Sequence, residues 1–446
     1  MLSNRHVARL TALAVALSAL AFVPFTVGPS AGAAVRGSAP EPAVETALSG
    51  VAHVTTGENH SCALMTSGQV RCWGLNSYGQ LGDGTQVSRT RPVTVKNPAG
   101  TGALSGVAQV IAGANHTCAR LTNGKAVCWG FNGRGQLGDA SAVSHLRPVK
   151  VVSSSGTGAL RNITLLTADG SHSCALLAST EAACWGDDTY GALGDGLGST
   201  GEPESSAIPV SVVATSGPGF LTGITHLVTG GGHSCAVLSN GQARCWGRSA
   251  FGELGDGSTG IDGRPRPVVV LNGTGTGPLT GVSLVSAGVA HSCAVMTNAR
   301  ARCWGSDTAD YVHYGQLGTR SDSIYPATVL NSSGSAPLTG VSMIRAGDGH
   351  TCARLSAGLA ACWGANYDGR LGIGRSGIDA DRDVPVLVQN TAGTAALTGV
   401  SEVAAGGAHN CARLSSGLAA CWGSNSYGQL GDGTHTQRTR PVFVNR

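Results

Sequence analysis

"HSCALMTSGQVRCWG", His60–Gly74, holds two cysteines ten positions apart, with a tryptophan directly after the second. The phrase returns six times. It reads "HTCARLTNGKAVCWG" from His116, "HSCALLASTEAACWG" from His172 and "HSCAVLSNGQARCWG" from His233. It then reads "HSCAVMTNARARCWG" from His291, "HTCARLSAGLAACWG" from His350 and "HNCARLSSGLAACWG" from His409. The seven copies use all 14 Cys and all 7 Trp of the 446-residue chain. Their histidines are 56, 56, 61, 58, 59 and 59 residues apart. Such a period marks repeated supersecondary units, not the separate domains that length alone suggests.

Each unit continues through W-G-x-N-x-Y-G-Q-L-G-D-G-T and a variable loop to R-P-V-x-V. The first unit carries four β-rich runs: Val51–Thr55, His60–Met65, Gln69–Gly74 and Pro92–Val95. Four short strands per repeat is the signature of a propeller blade. The sequence therefore predicts an all-β, seven-bladed β-propeller of four-stranded antiparallel blades over residues 48–446. The first unit begins at Leu48 with no P-V-x-V before it, and the chain ends "RPVFVNR". If each P-V-x-V strand belongs to the blade that follows, Pro441–Val444 completes the first blade. The C-terminal strand then joins the N-terminal blade and leaves no open edge.

A three-residue turn at Thr66-Ser67-Gly68, with Gly left-handed, sets Cys62 opposite Cys72. Opposed residues on antiparallel strands lie close enough for a disulfide. Every copy keeps nine residues between its cysteines, even where Thr180 and Ala299 stand in place of the glycine. The expectation is seven intra-blade disulfides: Cys62–Cys72, Cys118–Cys128, Cys174–Cys184, Cys235–Cys245, Cys293–Cys303, Cys352–Cys362 and Cys411–Cys421. Ala63 and Trp73 share the other face of the hairpin. The alanine recurs in every copy, as if a neighbouring blade's Trp lay across it.

Other readings of these residues are weaker. C-x9-C is not a zinc-knuckle spacing, and each unit offers only three ligands where zinc wants four. Redox chemistry needs C-x-x-C or an exposed low-pKa thiol. The repeated His reads as a structural hydrogen-bonding group beneath a Gly-rich turn. Asp379, Asp381 and Asp383 alternate as in a calcium loop, but the glycine at loop position 6 and the bidentate glutamate at position 12 are missing. An acidic surface loop is the better reading. No metal or other cofactor is expected.

The N-terminus carries Arg5 and Arg9, then the apolar Leu10–Phe25, then "AGA" at Ala31–Ala33. This pattern predicts a secretory signal peptide over 1–33, followed by a flexible lead-in over 34–47. No membrane attachment is expected after its cleavage, and the secreted setting permits disulfides. The formal charge is only +4 and no Lys/Arg run occurs, which speaks against nucleic-acid binding. Only three of the 29 basic residues are Lys, an arginine bias that, with high Ala and Gly, points to a GC-rich genome.

"CWGLNSYGQLGDGT" (Cys72–Thr85) and "AGANHTCAR" (Ala112–Arg120) resemble the repeat of the regulator of chromosome condensation family. The resemblance covers residues 48–446, with its motifs in order seven times. It implies a seven-bladed propeller. Family members include a nuclear exchange factor for the Ran GTPase, ubiquitin-ligase modules, a photoreceptor, and secreted bacterial propellers, one of which inhibits a β-lactamase. Their common property is protein binding by loops on one propeller face. The present chain departs from the nuclear members in its leader, its cysteine pairs and its lack of a basic tail, so no exchange residues are carried over. Its single Trp per repeat also differs from the photoreceptor's pattern. The secreted bacterial type fits best.

The turn before G-x-L-G is aromatic in most copies: Tyr78, Tyr190, Phe251, Tyr314 and Tyr427. In the fifth copy an insertion stretches Trp304 to Gly315 and adds Tyr311 and His313. Exposed aromatics on rigid loops are the usual anchors of protein interfaces. The expectation is a secreted, monomeric, non-enzymatic protein that docks an extracellular protein, as an enzyme inhibitor would. Carbohydrate or cell-wall binding through the tyrosines is the alternative. A hydrolase or lyase with a central-channel site comes third, because no acidic pair recurs.

Overall fold

Seven copies of one phrase make seven copies of one sheet. The computed structural model describes residues 47–198, 204–309 and 312–446. The leader over 1–33 lies outside these residues, as do Tyr311 and all of the lead-in except Ala47, which is buried. The blades span residues 51–94, 107–150, 163–211, 224–269, 282–328, 341–387 and 400–443, numbered here 1 to 7. Each is a four-stranded antiparallel sheet. The first strands line the central channel, where His53, Gln109, His226 and Arg345 face one another. Helix is nearly absent among the described residues: a single 3-10 turn covers Ile378–Ala380. No helix among them is long and apolar enough to cross a membrane.

The hairpin forms as its spacing predicts. Met65 donates its N–H to Gln69 O at 2.8 Å, and Gly68 has φ 75°. Cys62 pairs directly with Cys72, and the same register holds in every blade. All seven disulfides are made, with Cα atoms 4.0–4.1 Å apart, and no cysteine is free. Where glycine is lost, Thr180 and Ala299 still take φ 66° and 59°. That left-handed conformation costs an L-residue roughly 1–2 kcal/mol.

The P-V strand corrects the expected closure. Arg89–Thr94 pairs with Val70–Gly74, so it is the outer strand of its own blade. Arg438–Phe443 pairs likewise with Ala419–Gly423 and completes blade 7, not blade 1. The physical reason lies in the proline. With no N–H to donate, Pro92 and Pro441 suit an outermost strand and help blunt its edge. The ring closes instead at the connector. In six junctions a leucine N–H, as in Leu104 to Val95 O at 2.9 Å, ties the chain entering a blade to the chain leaving the previous one. At the seventh junction the two ends of the fold do the same: Leu48 N–H bonds Val444 O at 2.7 Å, and Ala47 bridges Asn445.

Blades pack face to face with the disulfide as knob. Cys62 and Cys72 lie against Ala119 and Trp129 of blade 2, with Leu64, Val70 and Val107 around them. Cys411 and Cys421 lie in the same way against Ala63 and Trp73 of blade 1. What crosses the small alanine is thus the neighbouring blade's cystine, not its Trp. All seven Trp are fully buried.

Candidate functional site

The repeated histidine belongs to the seams between blades. His60 Nε2 lies 2.9 Å from Thr117 Oγ1 of the next blade. The contact recurs six times at 2.8 Å, through Ser173, Ser234, Ser292, Thr351, Asn410 and, closing the ring, His409 to Ser61. The hydroxyl proton is committed elsewhere: Ser61 Oγ donates to Gln429 O, and Thr117 Oγ1 to Gln80 O. The imidazole must therefore donate from Nε2, which fixes the neutral Nε2–H tautomer. Asn410 confirms the logic, since its Oδ1 can only accept. Burial lowers these histidines from 6.5 to about 3 for His60, His116, His350 and His409, and to about 4 for His172 and His291. The Gly-rich turn sits on the ring: a Cβ at Gly57 would come 2.6 Å from His60 Cε1. The same backbone carbonyls also accept the Trp indole, as in Trp129 Nε1 to Gln80 O at 2.9 Å. Trp363, after the blade 5 insertion, makes no such bond.

Topology sorts the remaining features by face. His60 pairs with Gly74, so the first-to-second-strand turn and the third-to-fourth-strand loop emerge on the same side. Eleven large apolar side chains are exposed among the described residues. Eight of them lie in third-to-fourth-strand loops: Tyr78, Val87, Val143, Leu197, Phe251, Tyr367, Ile378 and Tyr427. Only Phe220, Ile324 and Leu387 lie elsewhere. Of the residues singled out from the sequence, Tyr78, Phe251 and Tyr427 are exposed on this face, while Tyr190 and Tyr314 are half-buried. Tyr78 lies against Phe131 of blade 2, centroids 4.7 Å apart, and Tyr314 meets Tyr367 of blade 6 edge-on at 5.7 Å. Arg248 lies over Phe251 at 5.2 Å. Packing between blades and exposure thus coexist. Tyr367 and Phe131 were missed because each sits off the repeat's aromatic position. His313 lies on a two-residue strand, Val312–His313, paired with Thr308–Ala309 inside the insertion.

The channel opens on this same face. Its mouth is a cavity of about 270 Å³ rimmed by the seven first-to-second-strand turns. Three of those turns are acidic: Glu58 in blade 1, Asp169 in blade 3 and Asp348 in blade 6. The sequence hid this group because only two of seven copies, Glu58 and Asp348, are acidic two residues before the seam histidine, and Asp169 stands one residue earlier. Burial, then repulsion from Asp348, pushes Asp169 up to about 7. Burial, then Glu58, pushes Asp348 up to about 6, although that side chain still meets solvent. The polar side chains of the lining are Thr56 and these three carboxylates. Deeper in the channel His53 Nδ1 pairs with Glu402 at 2.6 Å. Burial alone would raise Glu402, but the bond from His53 and the charges of His53 and Arg345 hold it below its ordinary value. The calcium-loop carboxylates serve other partners: Asp381 accepts Asn366 N–H at 2.6 Å, and Asp383 pairs with Arg320 at 3.2 Å.

Models of the regulator of chromosome condensation (RCC1) repeat match residues 51–80, 107–136, 224–253, 282–316 and 400–429, and residues 67–120, 123–176 and 360–413. Together they cover more than half of the chain. The chain belongs to the RCC1 repeat family. It is 28% identical over 396 residues to the ultraviolet-B receptor UVR8 of Arabidopsis thaliana, covering 88% of this chain and 81% of that one. It is 30% identical over 290 residues to the probable E3 ubiquitin-protein ligase HERC6 of Homo sapiens, covering 63% of this chain but only 26% of the ligase. Among solved structures, human WBSCR16 superposes with a TM-score of 0.67 at 21% identity, over 85% of this chain and 94% of that one. Prp20p of Saccharomyces cerevisiae gives 0.62 at 21%, over 79% and 80%. These two likenesses establish the fold alone.

Proposed function

We propose that this RCC1-repeat protein is a secreted, non-enzymatic binding protein that docks an extracellular protein on its loop-bearing face. One observation carries the reading: eight of the eleven exposed large apolar side chains gather on that face. Variable loops on a rigid frame are where recognition is built. Prp20p has binding properties to Gsp1p and histones, so a related frame supports protein binding. Secretion rests on the leader read at residues 1–33 and on seven disulfides, which persist in oxidising compartments. Inhibition of an extracellular enzyme is one form such docking takes.

The test is capture from the native secretome followed by mass spectrometry. Wild type is compared with a Tyr78→Ala/Phe251→Ala/Tyr427→Ala variant and with Phe220→Ala on the opposite side. The expected result is a partner lost with the triple variant and kept with Phe220→Ala. Equal capture by all three proteins overturns the reading. Binding on a glycan array with no protein captured would favour the carbohydrate alternative.

A further inference from the structure

We propose that the channel mouth is a receptor for one cationic side chain, arginine or lysine, presented by the protein that docks on the loop-bearing face. The inference rests on the docking face of the preceding section and gives that partner a chemistry.

The charge of the mouth is of one sign. Glu58, Asp169 and Asp348 line it, and the other four turns bring Ala114, Gly231, Val289 and Gly407, none of which titrates. The nearby cations are already held: Arg370 by Asp368 at 2.6 Å and Gly407 O at 3.3 Å, and Arg248 by Glu253 at 2.8 Å and Val289 O. Asp169 breaks the repeat at some structural cost. Six blades keep glycine three residues before the seam histidine. A Cβ at Gly57 or Gly113 would come 2.6 or 2.2 Å from that imidazole. Blade 3 rebuilds the turn instead: its first strand runs on to Asp169, which pairs with His172, and Gly170 takes φ 45°. The result places a carboxylate at the mouth.

A second observation is independent of the acids. Thr56 lines the mouth, is 8% exposed, and its Oγ1 has no hydrogen-bond partner. A buried hydroxyl without a partner is unfavourable, and an arriving N–H donor would supply one. The acids come from blades 1, 3 and 6, and among the described residues no three carboxylate, histidine or cysteine groups are placed to hold a metal ion. A guanidinium with five donors, or an ammonium with three, can reach separated acceptors as a bare ion cannot. The cavity admits the end of one side chain. It also lies at the centre of the docking face, where desolvated arginine anchors are most effective.

The test uses the full protein and saturation-transfer NMR with N-acetyl-arginine amide, against the uncharged isostere N-acetyl-citrulline amide. Arginine should bind at least tenfold tighter than citrulline. An Asp169→Asn/Asp348→Asn variant should lose that preference. Its amide oxygen at position 169 would keep the acceptor that now receives Gly170 N–H at 2.7 Å. Glu181→Gln, on the opposite-face hairpin, should change nothing. The charged groups at the mouth are Glu58, Asp169 and Asp348, with Arg370 and Arg248 beside it, so arginine binding should strengthen from pH 5.5 to pH 8 as the two raised carboxyls ionise. Equal binding of the two probes, or an unchanged preference in the double variant with an unchanged melting temperature, overturns the proposal. The two readings fail separately. If the aromatic variant loses its captured partner while the double variant captures as wild type does, the docking face stands and the receptor falls. If the arginine probe behaves as expected while the aromatic variant still captures, the receptor stands and the docking face falls.

Discussion

The seams between blades and the face that carries the loops obey opposite rules. Every seam uses the same parts: a cystine against Ala and Trp, and a histidine bonded to the next blade's hydroxyl or amide. On the loop face the blades diverge, although blades 1 and 7 share the run NSYGQLGDGT at Asn76–Thr85 and Asn425–Thr434. Blade 5 inserts a short two-stranded ribbon, blade 6 a 3-10 turn, and blade 4 replaces the recurring Gln with Glu253 paired to Arg248 at 2.8 Å. Even Glu253 keeps its backbone carbonyl in the seam, accepting from Trp304 and Ser292. The seam reads backbone and small polar groups, so the loop side chains are free to diverge.

The largest way to break this contrast is acid. The seven seam imidazoles are neutral when folded and lie far below 6.5, most near 3 or 4. The unfolded chain takes up protons below 6.5 that the folded chain refuses. Stability is therefore full above that pH and falls as pH drops toward 4, by about 1.4 kcal/mol per unit for each imidazole. Asp169 and Asp348, raised to about 7 and 6, act with the opposite sign but are outnumbered. Denaturant midpoints at pH 4.5 and 7.5 should differ strongly; equal midpoints contradict the neutral seam.

Removing one staple comes next. A Cys118→Ala/Cys128→Ala variant should lose up to about 3 kcal/mol by chain entropy, less to the extent that the turn already organises the hairpin. Ser173→Ala strands His116 Nε2 and removes one donor from Gln136 O, so about 1–3 kcal/mol should go. On the other face, the Tyr78/Phe251/Tyr427 triple alanine variant should move stability by no more than about 0.5 kcal/mol per site, because surface positions rarely count. A large loss there would make these aromatics structural. Smallest is Ala299→Gly: relief of the left-handed backbone, less the flexibility gained by the unfolded chain, should stabilise by roughly 0.5–1 kcal/mol.

How much was legible in the sequence follows the same division. The hairpin, its disulfide and the structural histidine were readable because local spacing determines them, whereas the recurring alanine was legible as a small contact but its partner, the neighbouring cystine and not a Trp, was not. The owner of the P-V strand was not. It lies between Gly74 and Val107 with runs of similar length on either side, so chain reach could not decide; Pro92 as an edge residue was the overlooked sign. The acidic mouth was illegible for another reason. Glu58 and Asp348 stand two residues before their seam histidines and Asp169 three before its own, the other blades carry no acid at either position, and the three meet only because the ring closes.

The neutral, stitched seam can be observed directly by nitrogen-15 NMR of the histidine rings. Seven rings, those of His60, His116, His172, His233, His291, His350 and His409, should hold a proton on Nε2 alone from pH 7.5 down to pH 5. Rings that titrate near 6.5, or that carry the proton on Nδ1, would contradict it.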